Sequence, residues 1–294
     1  MTTLLAALIA CYDENGSVDV GRQKELIDYV LSQGIDGLFV SGSTGEAFTQ
    51  SIEERKRTIA AAVQHVDGRA KVYAHVSALN TAESIELARY AAEVGVDALS
   101  AVSPIYYQYS EADCRDFYTT IARATDLPLF AYHIPSRTHQ ELSPRFFTQL
   151  GAEGVLQGIK YTSTDLYPLT ELVGMAPEGF TILNGSDEVL LGGLALGADG
   201  GVGSTYNVIG GLYRGIAEAF AQQDMEQASD LQQRANRYIA VMNAGNFLAF
   251  LRASLVHLGI ETGQSRRPLP PTTPEIQELA AVETDRAFSL LPMR

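Results

Sequence analysis

One lysine in the sequence stands where an apolar run ends, and its position suggests covalent chemistry. Lys160 directly follows the apolar run 155–159, whereas the other three lysines have charged neighbours or begin an apolar run (Lys24, Lys56 and Lys71). Burial disfavours the charged form of an amine, and a neutral lysine amine can form a Schiff base with a carbonyl compound. The alternative is a lysine whose ammonium group reaches solvent from a strand end or pairs with a carboxylate.

The composition argues against two classes of partner. The chain has 294 residues, 46% of them hydrophobic, and this length and composition indicate a globular protein of one large domain or two ordinary ones. Its formal net charge is −14. This charge disfavours nucleic acid and anionic membrane surfaces as partners, and no apolar run reaches the ~18–20 residues of a membrane span. A small anionic substrate stays possible, because helix N-termini bind carboxylates.

The cysteines and histidines predict neither a disulfide framework nor a metal site. Cys11 and Cys114 are the two cysteines, which fits a reducing cytoplasm. The five histidines show no H-x-x-x-H spacing, and C-x-x-C is absent from the sequence; His75 lies in an apolar run and is expected to be a core or rim residue. Residues 8–11 are similar to a lipoprotein cleavage site, but residues 1–10 contain no Lys or Arg, so we expect a first strand there.

Apolar runs of strand length alternate with helical patterns along most of the chain. Leucine, alanine and isoleucine recur at three- and four-residue spacing between the runs. Alternation repeated eight times predicts a (β/α)8 TIM barrel, an α/β fold; a doubly wound open sheet is the alternative, usually with about five or six strands. The predicted strands are 4–10, 37–40, 72–76, 98–102, 127–132, 155–160, 181–183 and 200–202.

The pattern changes after Gly203, where four predicted helices follow one another without a strand. They cover residues 208–222, 225–241, 247–258 and 273–289. The first completes the barrel. We therefore expect a barrel at 1–222 that carries the active site, and an all-helical C-terminal extension at 223–294 packed on it.

Polar residues gather where the predicted strands end, which is where the active sites of such barrels lie. Each group has a local explanation when taken alone: a tight turn at 42–45, a helix cap at Asp187, a core position for Tyr132. Their common placement around Lys160 favours a single site. The segments concerned are 41–46, 103–107, 132–137, 160–162, 184–188 and 203–207.

Four motifs resemble the N-acetylneuraminate lyase / dihydrodipicolinate synthase family. They are Gly42-Ser43-Thr44-Gly45-Glu46, Tyr132-x-x-Pro135, Gly158-Ile159-Lys160 and Asn184-Gly185-x-Asp187-Glu188. The similarity runs from about Leu5 to Asn207 and weakens in the helical tail, and segments 42–48, 165–167 and 201–207 resemble the lyase branch. The family consists of barrels that form a lysine Schiff base with pyruvate.

The resemblance implies a role for each candidate residue. Lys160 would form the Schiff base, Tyr132 would donate and accept protons, and Ser43 with Thr44 would hold the pyruvate carboxylate. The amino-sugar end would be bound by Thr162, Gly185, Asp187, Glu188 and Ser204. The implied reaction is reversible cleavage of N-acetylneuraminate to N-acetylmannosamine and pyruvate. Neither a cofactor nor a metal is expected, because the imine supplies the electrophilic activation.

The resemblance also implies a homotetramer, and the two cysteines indicate a cytoplasmic location. Tyr106 matches a tyrosine that reaches the site of a neighbouring subunit in the family. Two departures from the family pattern concern the substrate. The first strand usually ends in Thr-Pro-Phe, whereas this chain has Ala10-Cys11-Tyr12. Arg137 stands where lyases carry small or aliphatic residues and where synthases carry an arginine that binds the carboxylate of the aldehyde.

Several functions therefore stay open at this point. Arg137 either binds a substrate carboxylate, pairs with Glu188 or Glu141, or points to solvent. The first possibility allows condensation of pyruvate with a carboxylated aldehyde, and an aldolase for 2-keto-3-deoxy sugar acids is a further alternative. Three residues that match the lyase branch favour the lyase (Thr162, Glu188 and Ser204). A non-catalytic sugar-acid binder would need neither Lys160 nor Tyr132.

Overall fold

Eight parallel strands close into a barrel, as the alternating pattern predicts. The computed structural model describes residues 2–289, in which each strand pairs with the next and the last pairs with the first. Met1 and residues 290–294, the outer ends of the two predicted parts, lie outside the described residues. The strands are β1 Thr3–Ala7, β2 Gly37–Val40, β3 Lys71–His75, β4 Ala98–Val102, β5 Leu129–His133, β6 Gly158–Tyr161, β7 Thr181–Asn184 and β8 Gly200–Gly203.

Helices follow the strands, and a run of helices ends the described chain. The helices are α1 Val20–Ser32, α2 Ile52–Val66, α3 Thr81–Val94, α4 Glu111–Ala122, α5 Pro135–Thr138, α6 Pro144–Ala152, α7 Tyr167–Met175, α8 Leu190–Ala195, α9 Tyr206–Ala221, α10 Met225–Asn243, α11 Phe247–His257 and α12 Pro274–Phe288. Within residues 2–289, no single helix is long and apolar enough to cross a membrane; α10 and α11 reach that length and apolarity only as a pair, and they are bent by 118°.

The predicted TIM barrel with C-terminal helices is thus confirmed. The α10 helix packs on α9, which belongs to the barrel, and α12 packs on α11. The proposed division at residue 222 falls in the connection between α9 and α10. It remains a proposal, because the helices on either side of it are in close contact.

Polar side chains set where several helices begin. Ser51 accepts a hydrogen bond from the backbone N–H of Glu54, and Glu54 accepts one in return from the N–H of Ser51. The same capping box joins Ser110 to Asp113 at the start of α4. At α3 the cap is Asn80, which accepts from Glu83 N. Local hydrogen bonding therefore explains the boundaries of these helices.

The first strand is shorter than predicted because its backbone changes partners. It ends at Ala7, whereas the apolar run continues to residue 10. Beyond that point Ile9 N donates to Asn207 Oδ1 at 3.2 Å and Cys11 N donates to Gln23 Oε1 at 3.0 Å. Side chains of α9 and α1 thus replace the neighbouring strand as hydrogen-bond partners, which keeps the buried backbone satisfied.

The barrel interior is packed with side chains, as in other small barrels. A larger core fills the space between the sheet and the surrounding helices. Tyr132 belongs to the interior cluster, so a candidate catalytic side chain is also part of the packing that holds it in place. The interior residues are Leu5, Ala7, Phe39, Ala98, Val102, Phe130, Tyr132, Ile134, Leu183 and Val202.

Candidate active site

Lys160 and Tyr132 are neighbours across two paired strands. Tyr132 on β5 lies opposite Lys160 on β6 in the strand register. Both side chains are buried, with relative exposures of 4% for Tyr132 and 5% for Lys160. Lys160 Nζ lies 4.2 Å from the ring centroid of Tyr132 and 4.7 Å from that of Phe39. An amine and a phenol in an apolar pocket can carry out imine formation and proton transfer together.

The predicted carboxylate-binding turn follows β2. Glu46 N donates to Ser43 O, so Ser43 and its successor Thr44 lie within a hydrogen-bonded turn. Gly45 lets the chain pass close to β1, because a Cβ atom at this position would lie 3.0 Å from Leu8 O. Ser43 is exposed and Thr44 is buried, and the hydroxyl of Thr44 lies 2.7 Å from the hydroxyl of Ser204 after β8.

Two clefts open near this end of the barrel. The first, here called the Ser43 cleft, has a volume of about 520 Å³ and is lined by Ser43, Glu46, Ala47, Phe48, Thr49, Val102, Ile105, Ile134, Arg137, Thr138, Gly245, Asn246, Phe247, Leu248 and Leu269. The second, the Glu188 cleft, has a volume of about 390 Å³. It is lined by Ile134, Pro135, Ser136, Arg137, Thr162, Ser163, Thr164, Gly185, Ser186, Asp187, Glu188, Ser204, Thr205, Ile239, Met242, Asn243 and Phe247.

The residues expected to bind sugar all line the Glu188 cleft. Thr162 and Gly185 face each other, since a Cβ atom on Gly185 would come within 2.0 Å of Thr162 Oγ1. In the part of the chain that the structure describes, Thr162 Oγ1 is buried without a hydrogen-bond partner. Such groups are rare in native proteins. A hydroxyl of this kind at a cleft wall is suited to a ligand that carries hydroxyl groups.

The two adjacent carboxylates of the cleft have different surroundings. Asp187 Oδ2 accepts hydrogen bonds from Thr205 N at 2.8 Å and Thr205 Oγ1 at 2.6 Å, just before α9 begins. Burial raises the pKa of Asp187 to about 6, against the lowering effect of those two hydrogen bonds. Glu188 is half-buried. The backbone oxygens of both residues accept from α10, through Gln232 and Asn236.

Comparison with known proteins agrees with this geometry. A model of the dihydrodipicolinate synthetase family matches residues 1–284. This chain belongs to that family. It is 36% identical over 283 residues to an N-acetylneuraminate lyase of Escherichia coli (strain SMS-3-5 / SECEC), which covers 94% of this chain and 95% of that protein. The resemblance inferred from the motifs is confirmed.

Solved structures from two branches of the family superpose closely on this chain. A sialic acid aldolase of Ruminococcus gnavus matches with a TM-score of 0.94 at 31% identity and covers 98% of both chains. A dihydrodipicolinate synthase of Bacillus anthracis matches with a TM-score of 0.92 at 28% identity and covers 99% of both chains. The family fold therefore accommodates both types of enzyme on nearly the same backbone.

The C-terminal helices contribute to the site, although the sequence motifs predict an active site built by the barrel alone. Phe247, the first residue of α11, lines both clefts, and Met242 with Asn243 at the end of α10 lines the Glu188 cleft. The family motifs weaken in this region, so no local signal in the chain distinguishes these residues from ordinary helix surface.

His75, which its apolar surroundings predict to be a core or rim residue, lies against Tyr132. The rings of His75 and Tyr132 are in edge contact, with centroids 6.0 Å apart. His75 Nδ1 donates to Ser41 O at 3.0 Å, and burial together with the nearby Arg55 guanidinium lowers the pKa of His75 well below its usual value. The buried His75 ring thus supports one side of Tyr132.

The structure also places the atypical Arg137. Its side chain is exposed and lies where the two clefts meet, since it lines both of them together with Ile134 and Phe247. Within residues 2–289 it forms no ion pair with Glu188 or Glu141. The guanidinium group is therefore available to a ligand. The same residues contain no group of three or more His, Cys, Asp or Glu that could hold a metal ion.

The other departure from the family pattern joins the barrel to the C-terminal extension. Burial raises the pKa of the Cys11 thiol to about 12, so this side chain is an inert core residue. The Tyr12 ring lies against two guanidinium groups, 5.3 Å from Arg252 and 4.6 Å from Arg266. Tyr12 N donates to Thr262 O at 3.0 Å. This segment binds the C-terminal chain and does not line either cleft.

We predict that Asp187→Asn will gain stability relative to the unchanged protein as pH rises from about 4 to about 6. The folded protein retains a proton on Asp187 up to pH about 6, whereas the unfolded chain loses it near 3.8. The free energy of unfolding of the unchanged protein therefore falls across this window, by roughly 3 kcal/mol for a pKa difference of about two units. Asparagine does not titrate, so the variant escapes this loss.

Urea denaturation at pH 4, 5, 6 and 7 measures the difference in unfolding free energy between the two proteins. Asp165→Asn, at an exposed position, is the matched control and should show a nearly constant difference. A constant difference for Asp187→Asn as well would contradict the prediction. A difference that falls with pH would mean that the Thr205 hydrogen bonds favour the carboxylate more than burial disfavours it.

Proposed function

We propose that this protein is a class I aldolase that cleaves N-acetylneuraminate to N-acetylmannosamine and pyruvate, reversibly. The observation that carries the proposal is the Lys160–Tyr132 pair, buried together on adjacent strands with Nζ 4.2 Å from the phenol ring. The 36% identity to an N-acetylneuraminate lyase supports this reaction over the others known in the family. The polar lining of the Glu188 cleft suits the hydroxyl-rich amino-sugar end.

In the first half of the proposed reaction, Lys160 attacks the ketone carbon of the substrate. The Nζ–C bond forms, water leaves, and the resulting imine is protonated. Ser43 and Thr44 hold the substrate carboxylate with hydroxyl and backbone N–H groups, which a turn of this kind presents to anions. The rings of Phe39 and Tyr132 lie beside the Lys160 amine and hold this nucleophile in place for the attack.

In the second half, the protonated imine accepts the electron pair of the C3–C4 bond. Tyr132, whose phenol gave its proton to the departing water, takes the proton from the C4 hydroxyl, directly or through the substrate carboxylate, and N-acetylmannosamine leaves as the aldehyde. The remaining enamine is protonated at C3, and hydrolysis of the imine releases pyruvate and restores the Lys160 amine. Thr162, Gly185, Asp187, Glu188 and Ser204 orient the sugar during these steps. The protein supplies the covalent activation through Lys160, and no cofactor takes part in the proposed scheme.

We predict that borohydride in the presence of pyruvate will add one reduced pyruvate to the chain, on Lys160. Borohydride reduces the imine to a stable secondary amine, which intact-protein and peptide mass spectrometry locate. Lys160→Met should abolish the adduct. Lys71→Met is the matched control, because Lys71 is an exposed lysine paired with Asp97, and its loss should leave the adduct in place. A chain without an adduct would exclude a Schiff-base aldolase altogether, whichever aldehyde is the second product.

A second candidate function rests on Arg137. An exposed guanidinium group without an ion-pair partner in the described residues, at the junction of both clefts, suits a substrate with a second carboxylate. Such a substrate is the carboxylated aldehyde of a dihydrodipicolinate synthase-type condensation, or a 2-keto-3-deoxy sugar acid. The lyase remains the first proposal, because the sugar-binding positions Thr162, Glu188 and Ser204 keep the lyase pattern.

We predict that Arg137→Leu will retain N-acetylneuraminate cleavage within a few-fold of the unchanged protein. In the lyase reaction the guanidinium group faces hydroxyl groups and contributes little. If Arg137 instead grips a substrate carboxylate, its loss should lower kcat/KM about a hundredfold or more. Arg145→Leu, an exposed position outside both clefts, controls for the change in net charge. Steady-state assays of cleavage, and of pyruvate condensation with aspartate semialdehyde, separate the two outcomes.

We also propose that the protein is a cytoplasmic homotetramer. Tyr106 and Tyr107 are 88% and 70% exposed, and Tyr106 has a left-handed backbone with φ of 83°. Exposed aromatic side chains on a strained loop are typical of contact surfaces. Cys11 and Cys114 are both free thiols, which is consistent with a reducing compartment.

We predict that the purified protein will sediment with the mass of four chains of 31.8 kDa. Replacing both exposed tyrosines by serine should shift it to smaller species, because the contact surface loses two aromatic anchors. Sedimentation velocity measures both proteins, and unfolding temperatures confirm that the variant is folded. A single-chain mass for the unchanged protein would contradict the proposed assembly.

A further inference from the structure

The C-terminal extension contributes a buried arginine that binds the barrel directly behind the Ser43–Thr44 turn. Arg252 on α11 donates from Nη2 to Ala10 O at 2.9 Å and to Glu46 Oε1 at 2.5 Å. The same guanidinium group donates to Thr262 O at 2.9 Å and to Ser265 Oγ at 3.0 Å. It therefore joins the segment after β1, the turn after β2 and the C-terminal loop at one point.

Glu46 is the residue that closes the turn. Its N–H donates to Ser43 O, and its backbone is left-handed with φ of 54°. This conformation is unfavourable for a residue other than glycine and persists only where surrounding contacts hold it. The Glu46 carboxylate supplies those contacts: Oε1 accepts from Arg252, and Oε2 accepts from Arg266 N at 3.0 Å.

The pair is fully removed from solvent. The Arg252 side chain is 1% exposed and that of Glu46 is 0% exposed. A buried ion pair often adds little net stability, because desolvation of both charges offsets their attraction, whereas it does fix a geometry. Here the geometry that it fixes is the conformation of the segment that carries Ser43 and Thr44.

We propose that Arg252 is a positioning residue for the keto-acid carboxylate. Through Glu46 it holds the Ser43–Thr44 turn in the conformation that aims hydroxyl and N–H groups at the anion, so the C-terminal extension takes part in pyruvate binding. This inference rests on the proposed function, in which that turn binds the pyruvate carboxylate. The α11 helix thereby acts at two places, since Phe247 at its start lines both clefts while Arg252 binds the turn.

A positioning role predicts a selective effect on pyruvate. With Arg252→Met, the pyruvate concentration that gives half-maximal borohydride trapping should rise more than tenfold, because small displacements of binding groups weaken the alignment of a reactant strongly. The adduct formed at saturating pyruvate should stay close to one per chain. KM for N-acetylmannosamine in the condensation direction should change much less, since Arg252 forms no hydrogen bond to a described residue that lines the Glu188 cleft.

Two further variants keep the test decisive. Arg252→Lys retains the charge, but its single ammonium group cannot reach Ala10 O, Thr262 O, Ser265 and Glu46 together. This variant should fold even if Arg252→Met fails to fold. It should raise the half-saturating pyruvate concentration about tenfold. Arg266→Met is the matched control. It removes a neighbouring guanidinium group that binds Glu54 and lies over Tyr12, but it keeps the backbone N–H that reaches Glu46.

The expected pattern is weaker pyruvate binding in the Arg252 variants and an unchanged half-saturating concentration in Arg266→Met, even where its unfolding temperature falls. Unchanged half-saturation in the folded Arg252 variants would overturn the inference. An equal rise in Arg266→Met would also overturn it, because general positive charge or general stability would then explain the effect. Failure of the unchanged protein to form an adduct would instead overturn the proposed function.

Discussion

Parallel pairing of β5 with β6, in the register that sets Tyr132 opposite Lys160, is the constraint on which the candidate site depends. Paired residues in a sheet point to the same face, so both side chains enter the barrel interior. A shift of one residue would turn the lysine towards the outer helices. The chemistry therefore depends on the hydrogen-bond ladder as much as on the identities of the two residues.

Burial then determines how the polar groups around this pair behave. Asp187 has a raised pKa because desolvation outweighs the hydrogen bonds from Thr205. His75 has a lowered pKa because burial disfavours the charged form, which for histidine is the protonated one. Thr162 Oγ1 is a buried hydroxyl without a partner in the described residues. Buried ionisable groups with shifted pKa values and a buried hydroxyl without a hydrogen-bond partner among residues 2–289 lie together at one end of the barrel. Such a grouping is typical of a ligand site rather than of a core.

The helical extension is integral to this site. Its α10 helix holds the backbone of residues 187 and 188 through Gln232 and Asn236, and its α11 helix supplies Phe247 to both clefts. The segment after β1 is bonded to the same extension through Tyr12. Two regions in which the chain departs from its family motifs thus contact each other.

The sequence by itself determined the fold, the position of Lys160 on the sixth strand and the grouping of polar residues at strand ends. These features follow from local periodicity and from the rule that parallel strands present their C-terminal ends together. Only the tertiary structure decided that Arg137 forms no ion pair with Glu188 or Glu141, that the C-terminal helices line the clefts, and that Arg252 reaches Glu46. Those facts depend on contacts between residues as many as 206 positions apart. The local periodicity of the sequence contains no information about such contacts.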